Sequence, residues 1–252
     1  MPAPNVDLVF VIDASESMEP CIDGLRENIK SLIQPMQGFI SKMRFGVITH
    51  SIGKDAEDGA AIYRIRTLAG AGLDNIYAKS GPNQDKESGL LTEDVSQLVD
   101  FLDGMNLTGD EDSLLALDCA LDFPFGSIAN TKRVVALFSD EPFETGEFRS
   151  DYSSKIPALI NKIQARHIQL FVAMPDGPTI QQLAEADRSE VELIQGGDGL
   201  ASVDFHLLLG QMGKSISTSM LQSTGEGQYE RALFRQDRFV SSSGHHHFNE
   251  KV

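Results

Sequence analysis

The sequence predicts an α/β fold, doubly wound, with a mostly parallel central sheet and helices on both faces. Three observations predict it. Residues 6–12 (VDLVFVI), 133–139 (RVVALFS) and 167–173 (HIQLFVA) are apolar runs of strand length, as expected of strands buried on both faces. Segments with helical spacing of apolar residues separate them, and strands alternating with helices imply parallel pairing with right-handed crossovers. Acidic and hydroxyl residues cluster where the first two runs end, at DASES and SDE.

The elements follow in order. Residues 6–12 form the first strand, with one charge, Asp7, near its start. The loop ASESMEP leads to a helix over 21–39, on which Ile22, Leu25, Ile29, Leu32, Ile33 and Met36 share a face. Pro20 suits the first turn, and Pro35 should shorten or kink this helix. Residues 44–51 form a second strand, and 61–68 an edge or half-exposed strand alternating apolar and basic residues. The polar stretch GKDAEDGA joins them as a hairpin. Residues 69–91 read as loop, most strongly at SGPNQDKESG. Thr92 is placed as the cap of a helix carrying Val95, Leu98, Val99 and Leu102, and a short helix spans 111–121. Strands at 133–139, 167–173 and 191–195 alternate with helices at 151–166 and 179–188, and 202–221 is the last amphipathic segment. No internal repeat is evident. One domain over residues 4–222 is expected, with 223–252 as a tail, loosely held or packed on it.

Composition narrows the function classes. The 252 residues carry 37 acidic and 21 basic side chains, a formal charge of −16. Such a balance argues against nucleic acid and anionic membranes as partners, because both reward a basic face. It favours divalent cations and basic partners. No run of about 18 apolar residues is present to span a bilayer. The N-terminal segment lacks the basic start and long apolar stretch of a signal peptide. With two cysteines, Cys21 and Cys119, read as packing residues, the expected location is cytoplasmic. Oligomeric state is not readable.

The chemistry concentrates at the strand ends. In an open α/β sheet, ligands bind outside the carboxyl ends of the strands. Asp13 ends one buried strand and Asp140 follows another, so two acids are directed to the same edge. Two carboxylates brought together require a cation or a proton between them. Ser15 and Ser17 add neutral oxygens, and an all-oxygen donor set suits a hard dication such as Mg²⁺. The loop TGDEDS offers a third acid, Glu111, flanked by Asp110 and Asp112. Any one of these acids could equally cap a helix.

DLVFVIDASESM resembles the opening strand and DxSxS motif of the von Willebrand factor A (VWA) domain, a Rossmann-like fold. The GDEDSLLAL turn and LFSDEP extend the resemblance, and the order of elements carries it over about 6–221. It implies a metal-ion-dependent adhesion site holding Mg²⁺, Mn²⁺ or Ca²⁺. Asp13, Ser15 and Ser17 match its first motif and Asp140 its later acid, while Glu111 falls where most members carry threonine. Integrin beta subunits also use a glutamate from this loop. Their adjacent second metal site has paired acids where this chain has Pro20 and Cys21, so no second site is expected. The implied function is metal-dependent protein binding without catalysis. A partner's Asp or Glu carboxylate would complete the coordination, in an intracellular adaptor or scaffold of a bacterial multiprotein system.

Two rivals are weaker. A Mg²⁺-dependent phosphatase or phosphotransferase of haloacid dehalogenase type needs a second Asp two residues after the first, where this chain has Ser15. A nucleotide site lacks GxxxxGK[ST], and GGDG at 196–199 reads as a tight turn. The histidines at 245–247 read as a solvated terminal tract, and the acidic stretch 85–112 as a solvated face leading into the metal edge.

Overall fold

The computed structural model describes residues 3–54, 61–72, 89–107, 113–144, 152–184, 189–194 and 203–223. Among them the order is β1 (Asn5–Asp13), α1 (Glu19–Ile33), β2 (Lys42–Lys54), β3 (Ala61–Thr67), β4 (Gly70–Ala71), α2 (Val95–Asp103), α3 (Ser113–Ala120), β5 (Thr131–Phe138), α4 (Tyr152–Ala165), β6 (Ile168–Pro175), α5 (Pro178–Ala184), β7 (Ser189–Ile194) and α6 (Phe205–Ser223). The strands form one sheet in the order β4-β3-β2-β1-β5-β6-β7. β2, β1, β5, β6 and β7 run parallel, and β3 and β4 add an antiparallel edge. The α/β class and doubly wound sheet are therefore as the sequence predicts.

β1 lies at the centre because its residues are apolar on both sides. Leu8, Phe10 and Ile12 join a core built with α1, α2 and α6. Val9 and Val11 join the opposite core, built with α3, α4 and α5. From β1 the chain crosses through α1 to β2 on one flank, and from β5 it crosses through α4 to β6 on the other. The two crossovers leave from opposite faces. The crevice between the carboxyl ends of β1 and β5 is therefore the topological switch point of the sheet, where such folds bind ligands.

The helical layer on the first face is unusually close. A Cβ on Gly24 of α1 would lie 2.2 Å from the ring of Phe205, and one on Gly213 of α6 would lie 2.3 Å from the Leu32 carbonyl oxygen. Glycine at these two places lets the Phe205 ring lie on α1 and lets the α6 backbone come close to that of α1 at Leu32. Ser217 Oγ then donates to the Pro35 carbonyl at 3.0 Å, just beyond the end of α1. Pro35 acts as expected: α1 stops at Ile33 and continues as a single 3₁₀ turn. Phe10, Phe138 and Phe205 form a row of tilted rings with centroids 6.4 and 6.2 Å apart, linking β1, β5 and α6.

At the amino end of the sheet, Asp7 is the one charge inside the β1 run, and it is 1% exposed. Arg44 of β2 grips it with two parallel bonds of 2.8 and 2.7 Å, and the Gly126 amide donates at 2.7 Å. Arg133 of β5 donates to the Gly126 and Arg166 carbonyls. Burial of this aspartate is tolerable because bidentate guanidinium and amide donors satisfy it.

Some local expectations need correction. Thr92 does not cap α2. Its backbone is tied to Phe45 by two hydrogen bonds (2.7 and 2.8 Å), which hold it extended. Asp94 caps instead, accepting from the Ser96 amide at 2.9 Å. β4, inside the expected loop 69–91, is a two-residue strand too short to leave a periodic signal. Both cysteines are buried and neither is joined in a disulfide, as read. Several readings lie outside the described residues: the connection 55–60, the loop segment 73–88, the GGDG turn and the chain from 224 on. Among the described residues no helix is long and apolar enough to cross a membrane.

On β7, Glu190 and Glu192 face α6. Glu190 accepts from Gln169 Nε2 at 2.6 Å and from Ser215 Oγ, and burial raises its pKa against those bonds. Glu192 lines a cavity of about 20 Å³, roughly one water in size, with Phe138, Phe171, Leu208 and Met212. Burial there raises its carboxyl to about 7.

Two outcomes are expected. Replacing Asp7 by Ala strips Arg44 and the Gly126 amide of their carboxylate, and should cost about 3–5 kcal/mol in urea unfolding. For Glu192 the folded state binds the proton more tightly than the unfolded one. Its contribution to stability therefore falls as pH rises from the ordinary carboxylate range towards 7. Glu192→Gln should be the more stable protein at pH 8, by about 1 kcal/mol after allowing for solvent screening, with the advantage gone at pH 4. Thermal melts at the two pH values check it.

Candidate metal centre

The site is built by strand register. Ile12 of β1 pairs with Phe138 of β5, so Asp13 and the Ser139–Asp140 pair emerge together at the switch point. The Ala14 amide continues the ladder to the His50 carbonyl (2.9 Å), and the Ser139 amide to that of Ala173 (3.1 Å). Both acids are thus held by the last rungs of the sheet.

Asp13 is fully buried. Its Oδ1 accepts from the Ser15 amide at 2.8 Å, and its Oδ2 from Ser139 Oγ at 3.3 Å. Ser15 is extended (φ −69°, ψ 159°) and directly precedes a 3₁₀ turn over Glu16–Met18. That turn brings Ser17 back, with its hydroxyl 3.1 Å from that of Ser15. Ser15 is buried and Ser17 is exposed, so the hydroxyl pair runs from the crevice to its mouth.

Asp140 is 1% exposed, and neither of its carboxylate oxygens has a hydrogen-bond partner among the described residues. A buried carboxylate with no donor costs several kcal/mol, and such groups normally pair or coordinate. Cys21, in the first turn of α1, faces both acids. Burial pushes its thiol well above the ordinary range, and the charges of Asp13 and Asp140 push it further.

Four of the five sequence-predicted ligands, Asp13, Ser15, Ser17 and Asp140, converge on this crevice. The fifth, Glu111, lies outside the described residues. Among the described residues no three His, Cys, Asp or Glu side chains gather as a metal cluster, so the described donor set is two carboxylates and two hydroxyls. That set fits a hard dication: oxygen only, mixed in charge, with a carboxylate already desolvated. Ser139 was not singled out from the sequence. Only the register, continued one step past Ile12 and Phe138, sets it beside Asp13.

Removing the Asp140 charge should relieve the metal-free fold. Asp140→Asn is expected to melt about 2–4 °C higher than the parent in EDTA, on the order of 1 kcal/mol, and to lose any further rise on addition of Mg²⁺. Calorimetric melts with and without Mg²⁺ check both halves.

No family model matches the chain, and no curated protein sequence matches it. Similarity appears among solved structures. The VWA domain of SpRpn10 superposes with a TM-score of 0.52 over 84% of this chain and 97% of that one, at 10% identity. Two structures of the pilus adhesin SpaC from Lactobacillus rhamnosus GG give TM-scores of 0.48 and 0.47 at 14% identity. They are matched over 87% of this chain and 31% of theirs. At these identities the SpRpn10 likeness speaks to architecture alone, and with the strand order above, the chain has the α/β fold of VWA domains.

Proposed function

We propose that this protein is a divalent-cation-dependent protein-binding module. Asp13, Ser15, Ser17 and Asp140 would hold Mg²⁺, with Mn²⁺ or Ca²⁺ as substitutes, and Glu111 would contribute from its loop. The observation that carries this reading is Asp140: a carboxylate buried at the switch point with both oxygens lacking a donor among the described residues. When bound, the dication would supply an open coordination position that accepts a carboxylate oxygen from a partner's Asp or Glu. The chain's own groups orient the donors. The Ser15 amide and Ser139 hydroxyl fix the plane of Asp13, and the 3₁₀ turn sets the two serine hydroxyls side by side. Three acids around one dication leave a net charge of about −1, which weakens the pull on an incoming carboxylate and favours a reversible contact.

Binding rather than phosphoryl transfer is supported by the residue two positions after Asp13. The acid that would serve as general acid in the phosphatase reading is replaced by Ser15. We place the module in the cytoplasm, as an adaptor or scaffold in a bacterial assembly.

Titration calorimetry with Mg²⁺ and Mn²⁺ should give one saturable site in the parent and a loss of at least tenfold in affinity for Asp13→Ala. Affinity capture from native lysate should recover a protein partner in Mg²⁺ and lose it in EDTA, with no turnover of phosphate esters in either buffer. Equal recovery in both buffers would overturn the metal-bridged mechanism.

A further inference from the structure

We infer that Ser139 is a positioning residue for the proposed centre, its one hydroxyl holding the Asp13 carboxylate and the turn that carries Asp140. The inference rests on the reading of Asp13 and Asp140 as ligands. Continuing the β1–β5 register one step beyond Ile12 and Phe138 sets Ser139 beside Asp13 on the same face of the sheet. The residue is fully buried. Its Oγ reaches Asp13 Oδ2 at 3.3 Å and the Glu141 carbonyl at 3.0 Å, and it accepts from the Glu141 amide at 3.3 Å.

One hydroxyl hydrogen cannot serve two acceptors fully, so Asp13 and the Glu141 carbonyl share it. The consequence is a mechanical link between the two ligand loops. On one side the hydroxyl fixes the Oδ2 of Asp13, while the Ser15 amide fixes Oδ1. On the other it closes the turn Ser139–Glu141, whose middle residue is Asp140. The carboxylate plane of Asp13 and the direction in which Asp140 leaves the strand are therefore set by the same atom. Outer groups of this kind orient metal ligands, and their loss typically lowers metal affinity 10–100-fold.

The test uses Mn²⁺ and Mg²⁺ as probes, by titration calorimetry on the full chain, with melting curves in EDTA to monitor the fold. Ser139→Ala and Ser139→Cys should lose affinity at least tenfold. Ser139→Thr, which keeps the hydroxyl, should stay within about threefold of the parent. The cysteine variant keeps the buried volume with only a weak donor, so it carries the test if the alanine variant does not fold. Parent-like affinity in the alanine or cysteine variant would overturn this inference while leaving the centre standing. So would a threonine variant that folds as the parent does yet is as weak as the alanine variant. Absence of binding in the parent would instead remove the centre, and the inference with it.

Discussion

Two desolvated negative charges at the mouth of one crevice are the constraint around which this molecule is arranged. Asp13 and Asp140 reach that crevice on neighbouring parallel strands, and neither is open to water. Parallel pairing makes the meeting unavoidable, because the strands end on the same side. The crossovers that follow them run to opposite faces of the sheet. Backbone amides, a buried hydroxyl and the 3₁₀ turn then hold the oxygens at fixed positions. The rigidity of the sheet beneath is what lets a charge cluster of this kind persist in a folded chain.

The sheet manages charge differently at its two ends. At the amino end, Asp7 is answered within the protein by Arg44 and the Gly126 amide, which makes it a clasp for two strands and a loop. At the carboxyl end, no basic side chain answers Asp140 among the described residues. A buried acid with a built-in counter-ion is structural; one without invites an external cation. That contrast between the two ends of one sheet is the physical argument for reading one end as scaffold and the other as site.

Most of the architecture was legible because it depends on period and length. The runs VDLVFVI, RVVALFS and HIQLFVA could only be strands covered on both faces, and they are. What escaped depends on tertiary register. Thr92 has the chemistry of a cap, yet Phe45 recruits its backbone, and the task passes to Asp94. Ser139 looks like one more strand residue until β5 is aligned with β1. Gln169, a polar residue in an otherwise apolar strand, makes sense only once Glu190, Ser215 and Ser219 are seen around it. Among the candidate ligands, the DASES motif and the acid after LFS were visible as sequence. That Asp140 has no donor among the described residues was not, since nothing in one dimension says which groups a side chain will fail to meet.

The glycine-lined seam between α1 and α6 has a consequence for biogenesis. The contact from Ser217 to Pro35 spans 182 positions of the chain. During synthesis the apolar face of the first helix emerges long before the last helix that covers it. At translation speeds of about 5–20 residues per second, that face waits roughly 10–40 s for its cover. Until α6 clears the exit tunnel, a nascent chain of this protein therefore carries that apolar face uncovered, and with it a risk of aggregation.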